Sequence, residues 1–186
     1  MRSLQCKRKL QLGRSRCRSI VIRTAAIVLI VAISARAADR PALLILPLDM
    51  VDTSGETPSH AQEHEDRLVA LAQYLSKALA QDGSYAIIDP TPISAEIEKA
   101  RTVRLSECNG CELDLARLVH ADRVLIGKVD KVSTLIGSLD LSIVNVATGE
   151  RVFSRVLSFR GDTDEAWQHA ARFFVRELEA TAAQRR

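Results

Sequence analysis

Apolar residues recur along this chain in three rhythms, and each predicts a different kind of element. "ALLILPLDM" (42–50) is a continuous apolar run closed by a proline, the pattern of a strand buried on both faces. The next stretch, 51–66, is polar and rich in turn residues and predicts a loop. Leu68, Leu71, Ala72, Leu75 and Leu79 then return every three or four positions, which predicts a helix that stops after Asp82 at Gly83. "YAIID" (85–89) predicts a short strand, and Ile93 and Ile97 mark the inward side of a helix over 93–101. A short helix with Leu115, Leu118 and Val119 inward follows a pair of cysteines.

From residue 123 onward the rhythm changes to alternation. "RVLIGKVDKVS" (123–133), "LDLSIVNVA" (139–147) and "RVFSRVLSF" (151–159) are β-branched and alternating, with Gly137-Ser138 and Thr148-Gly149 as turns between them. This predicts an antiparallel meander. The stretch 161–180 closes the pattern as a helix, with Trp167, Ala170, Ala171, Phe174 and Leu178 as its inward stripe. The order β-α-β-α-α-β-β-β-α predicts an α/β (α+β) fold: one mixed five-stranded sheet flanked by helices.

The first 37 residues stand apart from this pattern. They carry nine basic residues and no acidic one, and include the apolar stretch "TAAIVLIVAIS" (24–34) followed by "ARA". A basic start, a short apolar core and a small-x-small site predict a signal peptide over 1–37, cut between Ala37 and Ala38. The alternative is an uncleaved anchor in the inner membrane, if Ile20 to Ile22 lengthen the apolar core and Arg23 snorkels. Cleavage leaves a single domain over 38–186 and places it in the periplasm. Removing the leader also changes the charge. The whole chain has 26 basic and 23 acidic residues, but the part after Ala37 keeps 17 basic ones and has a formal charge of −6. Nucleic-acid binding, which requires a concentrated basic face, is excluded as a reading.

Three stretches, "CNGCELDLAR" (108–117), "ADRVLIGKVDKVS" (121–133) and "RGDTDEAW" (160–167), together resemble a family of exported bacterial proteins whose domain has no known function. The element order is also similar to that of the N-terminal domain of the Tol–Pal β-propeller protein, the curli secretion lipoprotein and the lipoprotein activators of penicillin-binding proteins. The resemblance implies a non-catalytic envelope domain that acts through contacts with another envelope protein. No cofactor is implied, and the chain should not stay inserted in the membrane once cleaved.

Within that frame the residues able to do chemistry are few. Cys108 and Cys111 are the two cysteines beyond the leader, and export places them in an oxidising compartment. A thioredoxin-like centre sets CxxC directly after a strand and ahead of a long helix, whereas here a helix precedes it and a short one follows. A zinc site needs three or four ligands, and CxxC supplies two, with His120 the nearby histidine. A structural disulfide pinning a turn, with Gly110 as the permissive residue, fits better. A thiol-redox or metal-handling protein using the two cysteines is the second reading.

"HAQEH" (60–64) matches the inverted zinc-protease signature, with Glu63 as the would-be base, but it predicts a solvated first helical turn. In "RGDTDE" (160–165), Asp162 as N-cap with Glu165 three residues on predicts a capping box. Neither supplies a catalytic, cofactor-binding or metal site. The reading is an exported, non-enzymatic accessory or interaction domain.

Overall fold

The computed structural model describes residues 40–55 and 60–184. The predicted leader, with the Ala37–Ala38 cut, lies outside them. The apolar run 42–50 forms two strands, β1 (Ala42–Ile45) and β2 (Asp49–Asp52). Pro47 lies between them because it has no N–H for the sheet ladder. Helix α1 (Ala61–Gln81) leads to β3 (Ala86–Ile88), a 3₁₀ turn at Thr91–Ile93, α2 (Ser94–Ala100) and α3 (Cys111–Leu118). The meander β4 (Arg123–Ser133), β5 (Ile136–Asn145) and β6 (Arg151–Arg160) follows, and α4 (Asp164–Gln184) closes the fold.

One mixed sheet runs in the order β3-β1-β4-β5-β6. β1 is parallel to both β3 and β4, whereas the β4-β5-β6 part is antiparallel. β2 continues the line of β1 along β4, pairing at Lys128 to Lys131 where β1 pairs at Arg123 to Leu125. The break at Pro47 therefore makes six strands from the five predicted.

Alternation along β1 feeds two separate cores. Leu43 and Ile45 point to one face, where Leu68, Leu71, Leu75 and Leu79 of α1 and the Trp167–Leu178 stripe of α4 cover them. Leu44 and Leu46 point to the other face, covered by Ile97 of α2 and by Leu115 and Ala116 of α3. Leu43, Leu44 and Leu46 are fully buried, as the continuous apolar run predicts. Leu118 departs from its predicted place and is more than half exposed. The eight-residue α3 turns only Leu115 and Ala116 fully inward.

The first meander turn also differs from prediction. Ser133 pairs with Ile136, so the turn is Thr134-Leu135 and Gly137 lies inside β5. Gly137 is there for space, since a Cβ would enter the ring of Phe159 on β6. Gly127 in β4 has the same role against Leu141 and the backbone of Asp140. The second turn is as predicted, with Gly149 at φ +72°.

Trp167 is 2% exposed, stacks on His64 and meets Phe159. Trp167→Ala should lower the unfolding free energy by about 3–5 kcal/mol, because the void lies between helix and sheet. Denaturant unfolding checks this, and a loss under about 1 kcal/mol would contradict the packing.

Candidate functional site: a crevice at the strand ends and a buried ion cluster

β1 lies between β3 and β4, and the chain crosses it on both faces. Its connection to β3 runs through α1 on one face, and the path from β3 to β4 runs through α2 and α3 on the other. Open sheets with parallel strands bind ligands outside the strands' carboxyl ends at such a switch. A crevice of about 380 Å³ lies there. Its floor is Ile45, Pro47 and Leu48, and its walls are Leu68, Val69 and Ala72 of α1 and Ile97 of α2. Val69 is 55% exposed on this wall. At the rim, Arg101 donates to Glu65 at 2.9 Å and to Glu98 at 3.2 Å. The crevice is apolar with its ionisable residues tied to one another, and its rim carries one negative charge in excess.

A larger groove, about 640 Å³, opens beside the edge strand β6, and a third of about 460 Å³ lies between α1 and α4. The third is bordered by Glu63, Arg67 and Asp164, which are already paired.

Beneath that third groove lies the ion cluster. His64 Nε2 donates to Asp162 Oδ2 at 2.7 Å, and Arg67 donates to Asp162 Oδ1 at 2.9 Å and to Asp164 at 2.6 Å. Lys131 Nζ stands 3.5 Å from both Asp162 and Asp52. Burial alone would raise the Asp162 pKa. The hydrogen bond from His64 and the charges of His64, Arg67 and Lys131 outweigh that, and the carboxyl is held below its ordinary value.

Two predictions from sequence are corrected by this cluster. His64 is not solvated but 6% exposed, stacked 6.0 Å from Trp167 at an interplanar angle of 9°. Its Nε2 is taken by Asp162, while Glu63 faces His60 at 3.1 Å, so "HAQEH" does not converge on one metal position. Nor is Asp162 the cap of the last helix. Thr163 Oγ1 accepts from the Ala166 N–H at 3.2 Å, and the Asp162 carboxylate faces His64, Arg67 and Lys131 instead. Glu165, the other half of the expected box, lines the groove beside β6.

The signal for His64 and Lys131 was present in the sequence. His64 is four residues ahead of Leu68 on the same stripe, and Lys131 continues the inward alternation of Leu125 and Val129.

Cys108 and Cys111 are joined by a disulfide, with their Cα atoms 5.7 Å apart. Gly110, at φ +119°, makes the turn into α3, as predicted. The same segment has other ties. Ser106 donates its N–H and its hydroxyl to Asp49 at 2.7 and 2.6 Å, Leu105 is 1% exposed, and Glu107 pairs with Arg104 and Lys128.

Residues 41–178 match the DUF3280 family, described as a protein of unknown function (DUF2380). The chain belongs to that family. No curated protein matches it. Among solved structures it is similar to the PelC dodecamer from Paraburkholderia phytofirmans, at 16% identity and a TM-score of 0.45, covering 75% of this chain and 84% of that one. Lipoprotein GNA1162 from Neisseria meningitidis gives 14% and 0.45, over 77% and 96%. The C-terminal domain of LpoB from Salmonella enterica gives 18% and 0.41, over 63% and 81%. These likenesses concern layout and carry nothing about function. Among the described residues, no helix is long and apolar enough to cross a membrane.

Asp162→Ala should cost about 2–3 kcal/mol, because His64, Arg67 and Lys131 lose their shared carboxylate while Arg67 keeps Asp164 and Lys131 keeps Asp52. Thr163→Ala should cost only about 1 kcal/mol through the lost cap. Equilibrium unfolding of both variants checks the order, and the reverse order would return the cap to Asp162. The pH dependence has a definite sign. A carboxyl whose pKa is lower folded than unfolded adds stability above its unfolded value, and that stability is lost as pH falls through the folded value. Wild type should therefore lose stability below the ordinary carboxylate range, and Asp162→Asn should flatten that acid limb.

Replacing both Cys108 and Cys111 by serine should lower the melting temperature by at most about 4–8 °C. The loop is short, worth about 2 kcal/mol at about 2–4 °C each. A larger drop by circular dichroism would mean that the bond alone holds the turn.

Proposed function

We propose that this chain is an exported, non-catalytic accessory domain that binds another envelope protein in the crevice at the end of β1. The observation that carries this reading is the composition of the crevice. Apolar side chains from β1 and α1 meet Ile97 there, and the rim residues Glu65, Glu98 and Arg101 are tied to one another in a chain of hydrogen bonds. A general base or nucleophile has to be free to reach a substrate, and these groups are engaged. A surface of this kind favours burial of an apolar segment.

Charge narrows the occupant. The rim has two carboxylates against one guanidinium, and the chain beyond the proposed leader is acidic overall. The fitting partner is a protein presenting an apolar stretch with a basic flank, drawn in by complementary charge. The leader at 1–37 and the periplasmic address belong to the same proposal. They rest on the basic start and the apolar core of that segment.

A photo-crosslinker placed at Gln73 on the crevice wall tests the reading in cells. It should capture one envelope protein, and Val69→Arg should abolish the adduct while the fold survives, since Val69 is exposed. The same crosslinker at Val156, on the far side of the sheet, should not capture that protein. An adduct from position 156 alone, or one untouched by Val69→Arg, would remove the crevice from the account.

A further inference from the structure

We propose that the Cys108–Cys111 pair, once reduced, forms with Glu112 a binding site for a thiophilic divalent cation of the zinc type. The proposal is independent of the crevice and begins from a redundancy. The disulfide closes so short a loop that it constrains the unfolded chain little. The turn it spans is already fixed on both sides. Asp49 holds Ser106 through two hydrogen bonds, Leu105 is buried in the second core, and the Gly110 N–H is held by Glu112 at 2.9 Å. The sulfurs are therefore not required to hold the segment, and both cysteines are only half-buried.

Their surroundings suit a cation. The two sulfurs and a carboxylate oxygen of Glu112 lie within 4.8 Å of one another, and this is the one such trio of metal-type ligands among the described residues. Glu112 Oε2 stands 3.3 Å from Cys108 Sγ and is kept there by the Gly110 N–H. A tetrahedral zinc with bonds of about 2.3 Å sets two sulfurs about 3.8 Å apart. A Cα separation of 5.7 Å lets the side chains reach that spacing by rotation alone. Two thiolates and a carboxylate this close repel one another, and a divalent ion relieves that repulsion. Three ligands leave a fourth position for water or for a donor on a partner.

The chemistry balances with one co-reactant. A dithiol reductant gives two electrons and two protons to the Cys108–Cys111 bond and itself becomes a disulfide. The two thiols formed then release their protons as the metal binds. The bond is thus a lock, closed in the oxidised form and open to metal in the reduced one.

The test uses the exported chain purified from cells, reduced with a phosphine under argon and titrated with cobalt(II), followed by zinc(II) in competition. The reduced protein should bind one equivalent of cobalt with a thiolate-to-metal charge-transfer band, and zinc should displace it. The air-oxidised protein should show no band. Cys108→Ser should abolish the band, and Glu112→Gln should weaken binding at least about tenfold, as expected when a ligand is lost. Absence of the band in reduced wild type would overturn the proposal. So would a band that survives Cys108→Ser, or an affinity unchanged in Glu112→Gln. Circular dichroism of each variant separates lost binding from lost fold.

Discussion

Everything in this structure depends on burying β1 on both faces, between β3 and β4. A strand whose successive side chains are all apolar cannot lie at a solvated surface, so helices must cover it from both sides. The chain meets this by sending α1 across one face and α2 with α3 across the other, which splits the core in two. The arrangement also opens the crevice. The crossover into β3 lies on one face and the one from β3 to β4 on the other, and the gap between them lies over the carboxyl end of β1. Pro47 sharpens this by breaking the strand just there, leaving Ile45, Pro47 and Leu48 as a floor.

The ion cluster solves a different problem on the same molecule. α1 and α4 share one face of the sheet, and their near ends meet over the inward-pointing Lys131 of β4. A buried ammonium without a partner is costly, so Asp52 and Asp162 come to it. Asp162 then also gathers His64 and Arg67, and it becomes the shared partner of three side chains from α1 and β4. Replacing such a group with apolar residues can be neutral, whereas removing one member strands the others. The cluster thus fixes how α1 sits against α4 and, through α1, holds one wall of the crevice in place.

Much of this was legible in the sequence. The unbroken run at 42–50, the stripes of α1 and α4 and the alternation of the meander each follow from one periodicity, although β2 reaches Asp52 and α1 begins at Ala61, both inside the stretch 51–66 predicted as a loop. The misreadings have a common cause. His64 occupies an inward position by period although its polar neighbours predict a solvated turn, and for Asp162 the sequence suggests only the nearest local bond, the helix cap. Partners 98 residues away, as His64 and Asp162 are, cannot be seen by local reasoning. Gly137 was likewise taken as a turn because its crowding by Phe159 comes from another strand. The crevice could not be read at all, since it exists only once β1, α1 and α2 are assembled.

Amide hydrogen exchange tests the central claim, that binding takes place at the end of β1, most directly. It would be measured on the chain alone and on its purified complex with the protein that the Gln73 crosslinker captures. The account predicts slower exchange in the complex across 65–73 of α1 and 90–101 around α2, with the amides of β6 unchanged. Protection confined to β6 and the β4–β5 turn, with the crevice exchanging as in the free chain, would contradict it.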